Sequence, residues 1–290
     1  MTNTDSSKTS RQYKDTVFRT LFCDDKRFLE LYNAVADDNY PEDTSVTPCP
    51  SNSLLARFND LAACIDSQLI VFFEHQSSLS KNMALRLLPY VTDALYSHIV
   101  DKDKLYGSAQ VIIPAPKFFI LYNGEQPLKD RVVRLSDSFA IKDAEPSLEL
   151  TAEIIDINLG SGEAALNRSP SLQGYSYLVA EVRKNLLSGM ARDNAIVAAI
   201  DSCISQDVLQ PFLTEHYLEV AKMLNNEYDA EAERRVLKQE GHQEGVQEGR
   251  QEGRQEILDM LTKLLQEGMS PEAAIEKTKK TASGSNLSSS

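Results

Sequence analysis

Asn59-Asp60-Leu61-Ala62-Ala63-Cys64-Ile65-Asp66-Ser67-Gln68-Leu69-Ile70-Val71-Phe72-Phe73-Glu74-His75-Gln76 is the stretch whose reading decides the fold. Two short apolar runs flank the polar Asp66-Ser67-Gln68, which is the pattern of a β-hairpin. With residues 66–68 as a three-residue loop, Ile65 faces Leu69 and the pairing continues until Asp60 faces Glu74. Directly opposed residues share a sheet face with Cβ atoms roughly 5 Å apart. Gln76 returns to that face because side chains alternate with period two. The spacing therefore predicts two carboxylates and an amide converging at one end of a buried hairpin. A two-residue loop would instead move Glu74 out of alignment with Asp60.

Opposed like charges destabilise a sheet, and an unpaired buried carboxylate is costly. A hard divalent cation, Mg²⁺ or Mn²⁺, held by one or two carboxylates and several waters, offsets both effects. The competing reading makes Asp60 a strand-start residue and Glu74 a strand-end residue, both solvated.

Asn59-Asp60, the apolar hairpin and Glu74-His75-Gln76-Ser77-Ser78 resemble the motif of the recombination-promoting nuclease (Rpn) family, the YhgA-like transposase group of the PD-(D/E)XK nuclease superfamily. Further segments agree: Lys14-Asp15 with Phe18 and Leu21-Phe22; Met83, Arg86 and Tyr90; Tyr122-Asn123-Gly124; and Leu148-Glu149-Leu150-Thr151. The resemblance runs from Tyr13 to the Glu-Gly repeats near Glu256. It implies an α/β fold, a restriction-endonuclease-like mixed sheet flanked by helices, with a C-terminal helical extension. It matches Asp60 to the superfamily's first metal-binding Asp, Glu74 to its second carboxylate, and Gln76 to its usual Lys. It also implies that the peptide carbonyl of His75 completes the coordination of a divalent metal, Mg²⁺ with Mn²⁺ or Ca²⁺ as alternatives.

Gln76 is a departure from the superfamily, since an amide offers only a neutral donor and acceptor. Glu-x-Gln is nevertheless the usual form in this family. The missing positive charge is assigned to Arg86, on the helix after the hairpin, where a guanidinium can hold a phosphate at two points. An exposed helix charge is the competing meaning of Arg86. The chemistry expected is metal-assisted phosphodiester hydrolysis, with Gln76 orienting the water or a phosphate oxygen. The His75 side chain points to the opposite face and is structural. Glu30, in the amphipathic stretch Arg27–Tyr32, is a further candidate acid, with a solvated helix face as its alternative.

Other catalytic constellations are missing from the sequence. His75, His98, His216 and His242 have no zinc-site spacing, and Cys23, Cys49, Cys64 and Cys203 form no C-x-x-C pair. There is no P-loop glycine motif and no serine-nucleophile elbow. A length of 290 residues accommodates one α/β domain with a helical appendage. No apolar run is long enough to span a membrane, and the polar start lacks a signal peptide's apolar region. Four scattered cysteines fit a reducing cytoplasm. The net charge of −13 argues against a broad basic surface for nucleic acid, not against a local basic patch or a metal-dependent site.

Along the chain, residues 1–12 read as a disordered start and 13–165 as the nuclease core. Within the core, the pattern predicts a helix over Lys14–Val35, a proline-rich connector at Thr47–Pro50, and the hairpin. A helix over Met83–Val100, kinked or divided at Pro89, follows. Strand material is expected at Val111–Ile113, Phe118–Tyr122 and Leu148–Ile157. Residues 171–235 form a helical region, with helices over Ser171–Leu187, Asp193–Ser205 and Leu209–Asn225. In the tail, 236–282, Glu-Gly recurs every four residues from Glu240 to Gly253, which predicts a marginal helix or a flexible spacer. Leu258, Leu261, Leu264 and Leu265 form a short stripe suited to a partner chain, implying a homo-oligomer through the C-terminal helical region. Residues 283–290 read as a disordered end.

Two functions follow. The first is a metal-dependent DNA endonuclease linked to recombination or mobile elements, favoured by the joint presence of Asp60, Glu74 and Gln76. The alternative is a non-catalytic interaction protein that retains the nuclease fold. RNA as substrate is a third, weaker option.

Overall fold

The computed structural model describes residues 16–49, 61–142, 145–271, 273, 275, 277 and 278. Asp60 and the Lys14-Asp15 pair lie outside these residues.

A six-stranded mixed sheet forms the centre of the first unit, which extends to Glu227. Its strands are β1 (Val46–Pro48), β2 (Leu61–Ile65), β3 (Leu69–Gln76), β4 (Ala115–Tyr122), β5 (Val132–Arg134) and β6 (Thr151–Asp156), in the order β1-β2-β3-β4-β6-β5. The three strands β3, β4 and β6 run parallel, while β1, β2 and β5 are antiparallel to their neighbours. The hairpin register is the one the three-residue loop requires: Ile65 pairs with Leu69, and the ladder is described as far as Leu61 opposite Phe73. Asp66 and Ser67 turn the chain with φ of 48° and 56°, and Gln68 N–H donates to the Ile65 carbonyl at 3.0 Å. Two consecutive left-handed residues match the twist of the flanking strands.

Both faces of β3 are covered, so its residues from Ile70 to Glu74 are all buried. On one face Ile70 and Phe72 pack with Phe118, Ile120 and the helix α3 (Met83–Ser97), which supplies Met83, Ala84, Leu87, Val91 and Ala94. Phe72 stacks on its register partner Phe118 at 5.1 Å between centroids. On the other face Phe73 meets Phe28 edge-on at 5.3 Å and stacks on Phe119 at 5.7 Å. That side belongs to α1 (Val17–Phe22) and α2 (Asp25–Ala36). The helix α3 is the crossover that parallel β3 and β4 require.

The sheet carries two strands that the sequence pattern does not predict. The connector Thr47–Pro50 contributes β1, where Pro48 is tolerated because the strand lies at the sheet edge. Val132–Arg134 pairs with β6 as the other edge. Conversely, Val111–Ile113 is not strand, and Ile112 is 82% exposed. The single helix expected over Lys14–Val35 is two in its described part, because the Asp24 carboxylate accepts from Arg27 N–H and starts a second helix. Pro89 lies inside α3.

Beyond the sheet come α4 (Ala164–Arg168), α5 (Pro170–Leu187), α6 (Arg192–Ser205), α7 (Gln210–Glu215) and α8 (Tyr217–Gln266). The Glu-Gly repeats lie inside α8, which is helical throughout its 50 residues. In the second unit, which begins at Tyr228, Leu258 and Leu265 are exposed while Leu264 is buried.

One loop is closed by glycine for lack of space. A Cβ on Gly124 would overlap the Ser77 carbonyl oxygen and the Tyr122 phenol. We expect Gly124→Ala to destabilise the protein by about 3 kcal/mol, the upper range for overpacking against backbone. Urea denaturation measures this, and an unchanged midpoint would refute the tight approach of the two loops.

Candidate active site

The pleat of β3 sorts its three terminal polar residues. Glu74 and Gln76 continue the Ile70–Phe72 face, and Gln76 Nε2 donates to Glu74 Oε2 at 3.3 Å. Glu74 is 1% exposed, buried against the α3 side of the sheet. Gln76 is partly buried and backbone-anchored, since its carbonyl accepts from Asn123 N–H at 3.1 Å.

Helix α3 brings Arg86 and Tyr90 to the same place, four residues apart and therefore on one helix face. Burial pushes the Tyr90 phenol up, the Glu74 charge pushes it further, and the hydrogen-bonded Arg86 guanidinium opposes both. Tyr90 thus stands between Glu74 and Arg86 electrostatically. Arg86 is half-buried, which sets it apart from the exposed helix charge weighed as its alternative. Tyr90 had no role in the sequence reading beyond the resemblance. Its spacing of four from Arg86 is the signal that points to it.

His75 faces the other way, as its parity requires. Its ring stacks on Phe18 at 4.9 Å with planes 10° apart, and Nε2 lies 3.2 Å from the Tyr175 hydroxyl of α5. Burial, with Arg183 nearby, pushes its pKa down to about 3, so the imidazole is neutral at physiological pH. Glu30 is also away from Glu74. Its carboxylate accepts from Ser169 Oγ at 2.6 Å, Ser171 N–H at 2.9 Å and Ser171 Oγ at 3.0 Å. It holds the first turn of α5, where the helix dipole favours an anion. Neither a catalytic acid beside Glu74 nor a solvated face describes that position.

The carboxyl ends of the three parallel strands line up, Gln76 beside Tyr122 and Tyr122 beside Asp156. Asp156 Oδ1 accepts from Asn158 N–H and Nδ2 at 3.0 and 2.8 Å. Arg183 of α5 donates to Asn158 Oδ1 at 2.9 Å and to the Asn123 carbonyl, tying the loops after β4 and β6 together. Arg183 carries no motif of its own, so nothing in the sequence singled it out.

Among the described residues no group of three or more His, Cys, Asp or Glu side chains could hold a metal ion. Glu74 contributes a carboxylate bonded to the Gln76 amide, and its charge is felt by the Tyr90 phenol. Mg²⁺ needs only one or two protein carboxylates of this kind, with water completing its octahedron. Among the described residues Glu74 is the one carboxylate at the end of β3, and its Oε2 accepts from the Gln76 amide.

Residues 61–193 match the family model described as "Putative transposase, YhgA-like". The match opens at the first residue of β2, and covers the sheet from β2 onward, α3, α4 and α5. No curated protein and no solved structure matches the chain.

Two outcomes test these placements. Unfolded, His75 takes up a proton near its ordinary pKa of 6.5; folded, it does so only near 3. The unfolded chain binds more protons between those values, so stability falls as pH drops from 6.5 towards 3. His75→Phe removes this part of the pH dependence, measured as the change in urea midpoint between pH 7 and pH 4.5. An imidazole that titrates near pH 6.5 by NMR would contradict the burial. Glu30→Ala removes three bonds at the start of α5 and should cost about 1–3 kcal/mol; denaturation at neutral pH reads it, and an unchanged midpoint counts against the capping role.

Proposed function

We infer that this chain, which belongs to the YhgA-like family over residues 61–193, is a metal-dependent DNA endonuclease linked to recombination or mobile elements. The observation that carries the reading is the buried Glu74, bonded to Gln76 at the end of the central strand and facing Tyr90 and Arg86. A buried carboxylate is costly unless it is paired, hydrogen-bonded or bound to a metal. The family description names transposase-type chemistry, which also acts on phosphodiester bonds.

Asp60, Glu74 and the His75 carbonyl are proposed to hold Mg²⁺, with Mn²⁺ or Ca²⁺ as alternatives. The bound ion would supply Lewis-acid polarisation of the scissile phosphate and a water of lowered pKa. Gln76 holds Glu74 in place through its Nε2–H and keeps its Oε1 to orient a water. Arg86 presents a cation within reach of Tyr90 and is proposed to receive a phosphate oxygen. The phenol of Tyr90, with its pKa raised, keeps its proton and is proposed to serve as a neutral donor there.

The net charge of −13 favours a second reading, an interaction protein that keeps the fold without cleaving DNA. Nicking of supercoiled DNA with Mg²⁺, Mn²⁺ or Ca²⁺ separates the two. Asp60→Ala and Glu74→Ala should each lower the cleavage rate about a hundredfold or more, the scale of losing a group that stabilises developing charge. Arg86→Lys should retain less than the wild-type rate because it cannot grip two oxygens at once. Equal cleavage by wild type and both carboxylate variants would sink the site. A folded wild type that cleaves nothing with any of the three ions supports the interaction reading.

A further inference from the structure

Val179, Arg183 and Leu187 recur every four residues along α5 and therefore share one face of the helix. That face and the loop Ile157-Asn158-Leu159 after β6 border a cleft of about 260 Å³ on the α5 side of the sheet. Ile157 and Val179 are buried, while Leu159 is 47% exposed and Leu187 89%. The cleft thus has an apolar interior and two large apolar side chains left in water at its mouth.

Arg183 is half-buried in this wall, and its partners are neutral. Its guanidinium donates to Asn158 Oδ1 at 2.9 Å and to the Asn123 carbonyl. Arg131, Arg168 and Lys184 each meet a carboxylate, whereas Arg183 forms no ion pair among the described residues. The neighbouring acids are engaged elsewhere. Asp156 Oδ1 accepts from both nitrogens of Asn158, and both oxygens of Glu181 accept from Lys184 Nζ at 3.0 and 3.1 Å. A charge drawn out of water is costly without a partner of opposite sign. The charge of Arg183 reaches the interior, where it adds to burial in pushing the His75 pKa down. Two bonds leave most of the guanidinium's five N–H groups available, and a carboxylate can take two of them side by side. A phosphomonoester brings a charge near −2, which the Asp156 carboxylate behind Asn158 disfavours; a monoanion matches one guanidinium. A volume below the roughly 300–1,000 Å³ of drug-sized sites admits a body of a single ring or a short chain.

We propose that this cleft binds a small apolar monocarboxylate, its carboxylate on Arg183 and its body against Leu159, Val179 and Leu187. The ligand supplies the missing counter-charge and covers the two exposed leucines in one step. The proposal stands apart from the nuclease reading, because it uses neither Glu74 nor a metal and lies on the other face of the sheet.

Calorimetry on the full chain, with benzoate and hexanoate as probes, tests it. At least one should bind with a stoichiometry of one and a Kd below about 1 mM. The matching amide, benzamide or hexanamide, keeps the shape without the charge and should bind about tenfold more weakly or worse. Arg183→Gln should weaken the carboxylate by a similar factor and leave the amide unchanged, a difference that a purely structural role for Arg183 does not produce. Because Arg183 also ties two loops, Leu159→Asp serves as a second variant. It sets a like charge at the mouth, and with Leu159 47% exposed the fold tolerates it. This variant should also lower carboxylate affinity about tenfold. The proposal is overturned if neither probe binds, if the amides bind as well as the acids, or if phenyl phosphate binds more tightly than benzoate. Unchanged carboxylate binding in either variant, once circular dichroism shows that variant folded, overturns it too.

Discussion

The two-residue period of β3 is the constraint on which the rest depends. The strand is central and covered on both faces, so each of its last three residues must find surroundings suited to its own side of the sheet. Glu74 and Gln76 go to the α3 side, where an amide and a phenol meet the carboxylate. His75 goes to the side of α1 and α5, where an aromatic stack and a tyrosine hydroxyl suit a neutral imidazole. A register slip of one residue would exchange the two environments. It would put an acid against Phe18 and a neutral ring beside Arg86. Core packing thus fixes which polar group meets which helix.

The carboxyl ends of the parallel strands gather the remaining polar chemistry. In open α/β sheets that edge is where ligands bind. Here two loops after β4 and β6 are tied by Arg183, and the first of them is tied back to β3 through Asn123 N–H and the Gln76 carbonyl. Gly124 completes the arrangement because the Ser77 backbone leaves no room for a side chain. The Glu74 side and the loops after β4 and β6 consequently share one edge of the sheet, where the β3–β4 ladder is extended by the bond from Asn123 N–H to the Gln76 carbonyl.

The hairpin and its register were legible because both runs are apolar, the loop is short, and the count from Ile65 to Leu69 leaves no freedom once the loop has three residues. The parity of Glu74, His75 and Gln76 follows from that register alone. Asp60, the other half of the carboxylate pair, lies outside the described residues. The edge strands were not legible. Each has three residues, too few for an alternating pattern, and Pro48 argues against a strand until its edge position is known. Val111–Ile113 failed in the opposite direction, since β-branched residues in a row read as strand whether or not a neighbour is there to pair with them. Glu30 was misread because its partners, Ser169 and Ser171, lie about 140 residues away in sequence. Repeated glycine in the tail weakens a helix by about 1 kcal/mol per residue, yet α8 runs through it.

Having Gln rather than Lys at position 76 decides where positive charge can reside on this side of the sheet. A lysine on β3 would sit beside Glu74 on the same strand and form an ion pair with it. With Gln76 in its place, Glu74 keeps a neutral neighbour, and the cation moves onto α3 as Arg86. A guanidinium stays charged at any working pH and presents several donors in a fixed fork. The Tyr90 phenol is pushed up by its burial and by the Glu74 charge, and the Arg86 guanidinium opposes both. In a chain whose net charge is −13, the long-range field of the whole molecule opposes an approaching anion, so a cation such as Arg86 acts only locally.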